Sequence, residues 1–371
     1  MRILQITSHL NVGGISRYVL SLCHGLVQRR HDVILASDGG SLQHQAQQMG
    51  ITYWPLPLHT SAEFSPQVFW ASRQLAKYVQ QQSVDIIHAH TRVAQVVADR
   101  VSRQLKIPYV TTWHGIYKRR VGRVLWQCTG EKTIAISGLV KEHLTKDFHL
   151  PEERIRRVYN GINGNHYATL PDSAILETCR KQWGISQDQP VIGGIGRLAA
   201  GRVKGFDSLL VATHLLKKRI PDIRLLIVGD GPRRPFLEDI ARRLKVQDRV
   251  YFVGSVNDIR IPLALMDLFV FTSRWPEAFG LTVVEAMAAA KAVIATNVGA
   301  VPEIIQHGVN GWIVPPDDPM ALADAIEQLL HDPDQMEKLA HQAQQHAQEF
   351  FNLERVTMEV EGVYREVANG S

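Results

Sequence analysis

The chain has 371 residues, of which 45% are hydrophobic and 21% are charged. This length predicts two globular domains rather than one, and the composition excludes a disordered or fibrous protein. Lys and Arg outnumber Asp and Glu by 20 to 10 in residues 1–168, and they are outnumbered by 26 to 21 in residues 169–371. The first part is therefore expected to face something anionic, unless its charge is simply solvated.

Three further features narrow the class of protein. The three cysteines are dispersed and form no CxxC pair, which indicates a reduced, cytoplasmic protein without structural zinc. No run of 18 uncharged apolar residues occurs, so we expect no membrane-spanning helix. The basic residues are not interleaved with aromatic ones as in RNA-binding modules, and this argues against nucleic acid as a partner.

Short apolar runs alternate with amphipathic stretches along the chain, which is typical of parallel α/β units. The start "MRILQITSHLN" predicts a first strand, because its apolar run is too broken for a signal peptide. The first series of predicted strands is "RILQIT", "DVILAS", "ITYWPL", "DIIHAH", "PYVTTWH" and "KTIAIS". After a weakly patterned stretch at about 163–190, the second series is "VIGGIGR", "RLLIVGD", "RVYFVGS", "LFVFTS", "AVIATN" and "GWIVPP". The chain then ends in a long predicted helical segment, at about 320–367, which is interrupted near Asn352.

Two series of strands predict two doubly wound sheets rather than one barrel. In such sheets ligands bind beyond the carboxyl ends of the strands. Functional residues are therefore expected in the loops that follow each strand, and loops from both domains are expected to face a central cleft.

The stretch "RWPEAFGLTVVEA" follows a predicted buried strand and begins a predicted helix. A helix N-terminus presents unpaired N–H groups and a partial positive charge, which suits a phosphate. Glu277 precedes this terminus and Glu285 lies a little over one turn inside it, so two hydrogen-bond acceptors could bind a polyhydroxyl ligand. The alternative is that Glu277 only caps the helix and Glu285 is an exposed charge.

The stretch "GIGRLAAGRVKGFDSLL" places Arg197 just after a strand and Lys204 just before a helix. A bidentate guanidinium and a compact ammonium group together suit a diphosphate, although both could be solvated. In "NVGAVPEII", the small Gly299 would permit close approach of a ligand, or it could belong to a simple turn.

The stretch "WHGIYKRRVGRVLW" interleaves basic residues with apolar ones. Lys118, Arg119, Arg120 and Arg123 suit either a peripheral contact with an anionic membrane or a phosphorylated, lipid-linked acceptor. The alternative is a basic surface helix whose apolar stripe faces the core.

Taken with "IVGDGP" and "VYNGIN", these stretches resemble the retaining glycosyltransferases of the GT4 family, also called glycosyl transferases group 1. The resemblance spans nearly the whole chain and is most specific from about 191 to 316. It implies an α/β fold of GT-B architecture, with two Rossmann-like doubly wound domains. These would be an acceptor-binding domain at 1–168 and a nucleotide-sugar-binding domain at 169–350, with a C-terminal helix at 351–371 that crosses back to the first domain.

The resemblance implies that Arg197 and Lys204 bind the diphosphate of a nucleotide sugar. Because the loop between them is longer than the common family pattern, Arg202 stays an alternative to Lys204. No DxD-type carboxylate pair follows a strand, so we expect no obligatory metal and no other cofactor.

For the rest of the donor, the resemblance implies that Glu277 contacts the sugar hydroxyls, helped by backbone N–H groups around Phe279, Gly280 and Leu281. It also implies that Glu285 holds the ribose hydroxyls.

In the first domain, the resemblance matches Gly13 and Gly14 of "LNVGGIS" to a loop that lies against the donor phosphates. It matches His114 of "TWHG" to the active-site histidine near the transferred sugar, and His9, His88 and His90 compete for this role. The expected catalytic residues are His114, Glu277, Arg197 and Lys204.

The expected function is that of a hexosyltransferase that moves a sugar, with retention, from a nucleotide-diphosphate sugar to a glycan or lipid-linked acceptor. The expected setting is synthesis of lipopolysaccharide or another surface polysaccharide, in the cytoplasm or at the inner face of the cytoplasmic membrane. A nucleotide-sugar epimerase and a non-catalytic nucleotide-sugar-binding protein are alternatives. An NAD-dependent dehydrogenase is less favoured, because "NVGGISRY" lacks the GxGxxG order and only Asp38 could end the second strand as its acidic residue.

Overall fold

The computed structural model describes residues 1–58, 60, 62–201 and 203–370, and it divides into two compact units. Unit 1 consists of Met1–Ile162 and the C-terminal segment from Asn352, and unit 2 consists of Asn163–Phe351. The predicted boundary after residue 168 is a few residues late. The reason is that α7 (Gly164–Ala168) packs against a helix of unit 2, α12 (Leu281–Ala288).

Unit 1 is built on one parallel, seven-stranded sheet in the order β3-β2-β1-β4-β5-β6-β7. Its strands are β1 (Arg2–Ile6), β2 (Asp32–Ser37), β3 (Thr52–Pro55), β4 (Ile86–Ala89), β5 (Tyr109–Trp113), β6 (Lys132–Ala135) and β7 (Ile155–Arg157). Its helices are α1 (Gly14–Gln28), α2 (Gln43–Gln48), α3 (Pro66–Gln80), α4 (Arg92–Leu105), α5 (Val121–Leu125), α6 (Gly138–Phe148), a 3-10 turn (Glu152–Arg154) and α16 (Leu353–Asn369).

Unit 2 is built on a parallel, six-stranded sheet in the order β10-β9-β8-β11-β12-β13. Its strands are β8 (Val191–Ile195), β9 (Arg224–Val228), β10 (Val250–Gly254), β11 (Leu268–Phe271), β12 (Ala292–Thr296) and β13 (Trp312–Val314). Besides α7 and α12, its helices are α8 (Ser173–Gln182), α9 (Phe206–Leu216), α10 (Arg234–Arg243), α11 (Arg260–Leu265), α13 (Val301–Ile304), α14 (Pro319–His331) and α15 (Pro333–Phe350).

The central strands are buried on both faces because helices cover both sides of each sheet. In unit 1, one core packs β1 and β4 against α3 and α4, and the other packs β1, β2 and β5 against α1 and α16. The helix α16 takes part because Val356, Val360, Val363, Tyr364 and Val367 recur at helical spacing and are all buried.

Every predicted strand is present, and both sheets are doubly wound as predicted. The short edge strand β7 was not predicted, because only one of its three residues is buried. The predicted helical segment at 320–367 is three helices, since Asp332 caps α15 ahead of Pro333 and Asn352 caps α16.

Strand order reverses between β1 and β4 in unit 1, and between β8 and β11 in unit 2. At such a switch point the loops after the two strands diverge and leave a crevice for a ligand. The crevice of unit 1 is lined by the loop before Gly14 and by His90, and that of unit 2 by the loops after Ile195 and Phe271.

In the part of the chain that the structure describes, no helix combines the length and the apolar character needed to cross a membrane.

Candidate functional site

Lys204 and Glu277 meet at the switch point of unit 2. The Lys204 Nζ donates to Glu277 Oε1 at 2.6 Å, and the Ser273 hydroxyl donates to the same oxygen at 2.7 Å. Both charged side chains are mostly buried, with 30% and 19% of their area exposed. Glu277 therefore does not cap a helix, and the structure brings two predicted site residues together.

The backbone around Lys204 is fixed by the loop that follows β11. The Thr272 hydroxyl donates to the Lys204 carbonyl at 2.8 Å, and Arg274 N–H donates to the Val203 carbonyl at 2.8 Å. Gly205 adopts a left-handed conformation, with φ of 62°, and a Cβ there would overlap the Thr272 carbonyl. Glycine is therefore required where this loop enters α9.

Arg197 lines one small pocket with Lys204, and the same pocket contains a third cation, Arg233. Arg197 is exposed, and no carboxylate in the described residues pairs with it. The buried Nη2 of Arg233 has no hydrogen-bond acceptor among the described residues. Sequence reasoning missed Arg233, although "VGDGPRR" follows a predicted strand and so offered a signal. Arg202, the alternative to Lys204, lies outside the described residues.

The helix α12 begins at Leu281, with Gly280 as its N-terminal cap in a left-handed conformation of φ 106°. Among the described residues no side chain caps this end, so the N–H groups of its first two residues are available to a ligand. The side chain of Phe279 is buried and packs against the ring of Phe351 at 5.6 Å. Phe279 can therefore offer a ligand only its backbone.

Glu285 lies one turn inside α12 and is 1% exposed, so it is not a surface charge. Its Oε1 accepts a hydrogen bond from the Tyr167 hydroxyl at 2.8 Å. Tyr167 was not predicted, because α7 lies far from Glu285 in sequence and only the packing of α7 on α12 brings them together.

Gly299, after β12, supports the backbone of Glu277. It is left-handed with φ of 56°, a Cβ there would overlap Glu277, and the next residue, Ala300, donates its N–H to the Glu277 carbonyl at 2.9 Å. The "NVGA" stretch is thus packed against the Glu277 loop rather than being an isolated turn.

In unit 1, Gly14 begins α1 and Gly13 precedes it. A Cβ on Gly14 would meet open space, and one on Gly13 would only touch the Asn11 carbonyl at 3.9 Å. Neither backbone is left-handed. Packing in unit 1 therefore does not explain these glycines, and they leave the N-terminus of α1 uncovered.

His114 directly follows β5 and is half-buried. Its Nε2 lies 3.2 Å from Nδ1 of His90, and the Tyr18 ring packs edge-on against it at 4.9 Å. Burial lowers the pKa of His114 to about 3, so its imidazole is neutral at neutral pH. His88 and His90 are fully buried beside it, whereas His9 is exposed.

A basic pocket of about 400 Å³ lies in unit 1 and is lined by Ala62, Glu63, Phe64, Arg92, Ile116, Tyr117, Lys118, Arg120 and Arg123. Arg92 pairs with Glu63, the pocket's only carboxylate among these residues. Arg123 stacks on Tyr117 at 4.5 Å, and burial together with the nearby Arg92 charge lowers its pKa to about 10. The pocket therefore carries uncompensated positive charge. Arg119 is exposed next to it.

The short helix α5 beside this pocket buries none of its residues. Val121 and Leu125 lie on one face of it and are 75% and 82% exposed. The alternative of a surface helix with a core-facing apolar stripe holds only in part, because Val121 and Leu125 face outward whereas Trp126 packs against a core of unit 1.

Among the described residues, no group of three or more His, Cys, Asp or Glu side chains is placed to hold a metal ion. His88, His90 and His114 are close together, but their ring nitrogens are in hydrogen bonds: His90 contacts His114 and Gln5, and His88 contacts Thr112.

Two family models match consecutive parts of the chain. Residues 12–165 match the model "Glycosyltransferase Family 4", and residues 177–346 match "Glycosyl transferases group 1".

Relatives and solved structures agree with these models. The N-acetyl-alpha-D-glucosaminyl L-malate synthase of Bacillus anthracis is 26% identical over 98% of this chain and 96% of its own. A glycosyltransferase structure from Rickettsia africae superposes with a TM-score of 0.89 at 25% identity, covering 100% of this chain and 99% of that one. HepE of Anabaena, solved with UDP and glucose, shares the fold, with a TM-score of 0.84 at 24% identity over 98% and 99% of the two chains.

The two models together span most of the chain, the sheets are both Rossmann-like, and the similar proteins named above include glycosyltransferases of the same two-domain fold. The chain therefore belongs to the GT4-type glycosyltransferases of GT-B fold, enzymes that act on nucleotide sugars.

Proposed function

We propose that the chain transfers a hexosyl group, with retention of anomeric configuration, from a nucleotide-diphosphate sugar to a glycan or lipid-linked acceptor. One observation carries the donor part of this proposal. The switch point of unit 2 combines three cations, the N-terminus of α12, Glu277 in contact with one of the cations, and Glu285 on α12 itself.

The departing nucleotide diphosphate gains negative charge as the bond to the sugar breaks. Arg197, Lys204 and Arg233 can stabilise that charge, and so can the N–H groups at the start of α12, which add the positive end of the helix dipole. Because these fixed groups supply positive charge themselves, we propose that no metal ion is obligatory.

The two carboxylates would hold the rest of the donor. Lys204 and Ser273 both bind Oε1 of Glu277, which leaves Oε2 to accept hydrogen bonds from sugar hydroxyls. Glu285, oriented by Tyr167, would accept from the ribose hydroxyls, as the resemblance implies.

In unit 1 we assign His114 to the transferred sugar and Gly13 and Gly14 to the donor phosphates. A neutral imidazole suits this place, because it adds no positive charge beside the anomeric carbon, where positive charge develops. The family resemblance is what supports retention of the anomeric configuration.

The acceptor part of the proposal rests on the basic pocket of unit 1. Its positive charge suits a phosphate or carboxylate, and the exposed apolar face of α5 beside it suits a lipid surface. The Bacillus anthracis relative is named for L-malate, and a Thermobispora bispora relative is named for D-inositol 3-phosphate, which are both anionic. We propose a lipid-linked surface glycan such as lipopolysaccharide, reached at the inner face of the cytoplasmic membrane.

The first test is a thermal-shift panel of UDP-, GDP- and ADP-sugars with and without EDTA. We expect one nucleotide class to raise the melting temperature by several degrees at saturating concentration, with EDTA making no difference. Glu285→Gln should abolish the shift, because an amide replaces an acceptor that must bind two hydroxyls. Glu337→Gln, an exposed substitution on α15, should keep it.

Other outcomes contradict particular parts of the proposal. A shift that disappears with EDTA would contradict metal independence. If no nucleotide sugar gives a shift, NAD(H) is titrated next, and a shift with NAD(H) would favour a dehydrogenase. Once the donor is known, NMR of the product reports the anomeric configuration of the transferred sugar. Conversion of the nucleotide sugar without transfer would point to an epimerase.

A further inference from the structure

A chain of hydrogen bonds runs from His114 into the interior of unit 1 and ends on the C-terminal helix. His114 Nε2 contacts His90 Nδ1 at 3.2 Å, and His90 Nε2 contacts Gln5 Oε1 at 2.7 Å. The Gln5 amide then donates to the Tyr364 hydroxyl at 2.9 Å. Gln5 and Tyr364 are 0% exposed and His90 is 1% exposed, so water cannot substitute for these partners.

A second branch begins at Tyr364. Its hydroxyl lies 2.6 Å from His88 Nδ1, and His88 Nε2 lies 2.7 Å from the Thr112 hydroxyl. His88 is also completely buried. Polar groups this deep in a core are costly unless every one is paired, and such networks hold one arrangement.

Each histidine in the network carries a single ring proton. Burial lowers the pKa of His88 and of His114 to about 3, and it lowers that of His90 well below the usual value for histidine. Burial also raises the pKa of Tyr364, so its hydroxyl keeps its proton. The network is therefore neutral, and its hydrogen bonds have a definite direction.

That direction follows from Gln5. Its Oε1 can only accept, so His90 carries its proton on Nε2 and has a bare Nδ1. The bare Nδ1 of His90 must accept from His114, which places the His114 proton on Nε2. Nδ1 of His114 is then the acceptor that remains for a ligand. Turning the Gln5 amide around would reverse every donor on this path and make Nδ1 of His114 a donor.

Tyr364 holds the amide in place. It accepts from the Gln5 amide, and with that orientation the network is fully paired when the Tyr364 hydroxyl gives its own proton to Nδ1 of His88 and the Nε2–H of His88 donates to the Thr112 hydroxyl.

We propose that Gln5 and Tyr364 are positioning residues that keep Nδ1 of His114 a hydrogen-bond acceptor toward the transferred sugar. This inference rests on the proposed role of His114. It adds a residue of the first strand and a residue of the C-terminal helix to the machinery of the reaction, although neither touches the substrate.

The test reads the ring state of His114 directly, by NMR of the full chain labelled with ¹⁵N-histidine, using His114→Asn to assign its signals. We expect a protonated Nε2 and a bare Nδ1 in the wild type. In Gln5→Leu, His90 loses the acceptor for its Nε2–H and should donate from Nδ1, which moves the His114 proton to Nδ1. Tyr364→Phe leaves the Gln5 amide free to turn. It should therefore give a mixture of His114 rings protonated on Nε2 and His114 rings protonated on Nδ1.

Tyr109→Phe is the matched control, because it also removes one buried hydroxyl from unit 1, where that group donates to Asp99 at 2.9 Å. It should leave the His114 ring state and the turnover unchanged. Gln5→Leu should lower kcat about tenfold, the effect of losing one hydrogen bond to the transition state. The affinity for the free nucleotide should not change, since none of its proposed ligands belongs to this network.

The wild-type ring state in both Gln5→Leu and Tyr364→Phe would overturn the proposal, and so would a loss of turnover without a change in ring state. A changed ring state with normal turnover would overturn the positioning role. Full activity of His114→Asn would instead refute the assignment of His114 itself, which separates failure of the proposed function from failure of this inference.

Discussion

Glu285 and Glu277 have the same side chain, but their surroundings give them different tasks. Glu285 is buried, and one of its carboxylate oxygens accepts a hydrogen bond from the Tyr167 hydroxyl. Its position is therefore fixed before a ligand arrives. Glu277 is held by a cation, Lys204, that is itself proposed to bind phosphate. Binding of the sugar and binding of the diphosphate are therefore expected to depend on each other.

Removing the Tyr167 hydroxyl tests the first of these arrangements. Tyr167→Phe should weaken nucleotide binding about 5- to 10-fold, because Glu285 loses the donor that orients it and one net hydrogen bond is worth about 1 kcal/mol. Isothermal titration with the nucleotide chosen by the thermal-shift panel measures the Kd. Thr178→Ala, which removes a hydroxyl from α8 in the same unit, is the control. An unchanged Kd in Tyr167→Phe would show that Glu285 needs no such support.

At the scale of elements, the helix pair α1 and α16 builds one core of unit 1. The two helices are in close contact at Gly25, where a Cβ would overlap the Thr357 hydroxyl. Gly362, on the outer face of α16, has open space around it instead. Gly25 therefore permits the close contact of α1 with α16, whereas Gly362 takes no part in that contact.

Adding one methyl group at each glycine should change stability in opposite directions. Gly25→Ala forces the helices apart and should destabilise the chain by about 1–3 kcal/mol. Gly362→Ala only improves helix propensity and should stabilise it by up to about 1 kcal/mol. Urea unfolding followed by circular dichroism measures both. Equal effects of the two substitutions would contradict the close packing of α1 on α16.

At the scale of the whole molecule, the uneven charge corresponds closely to the two units, since the excess of Lys and Arg lies in residues 1–168. Within unit 1 it is concentrated at the basic pocket and the exposed residues Lys118, Arg119 and Arg120. Uncompensated charge next to exposed Val121 and Leu125 suits an anionic lipid surface.

Vesicle sedimentation tests this use of the charge. The wild type should bind vesicles of phosphatidylglycerol but not of phosphatidylcholine. Replacing Lys118, Arg119 and Arg120 by Gln should weaken binding about 100-fold, at about 1 kcal/mol per charge near the surface. Replacing Arg242, Arg243 and Lys245 of unit 2 by Gln removes the same charge and should have little effect. Indifference of the wild type to anionic vesicles would contradict the proposed membrane contact.

The sequence by itself determined the strands, the two sheets and the loops in which to look for the site. It could do so because a strand buried on both faces is mostly apolar, and because the loops after parallel strands lie at one edge. It also indicated Glu277, Glu285, Arg197 and Lys204, since their motifs are local. The edge strand β7 gave no such signal, as most of it is exposed.

Only the tertiary structure decided which side chains meet. Lys204 and Glu277 are 73 positions apart, Tyr167 and Glu285 are 118 apart, and Gln5 and Tyr364 are 359 apart. Local pattern cannot specify these contacts, because strand order and helix packing bring the partners together. Tyr167 and the buried network behind His114 were missed for that reason, since each gains its role from a neighbour that is distant in sequence. Arg233 was missed although its stretch, "VGDGPRR", directly follows a predicted strand.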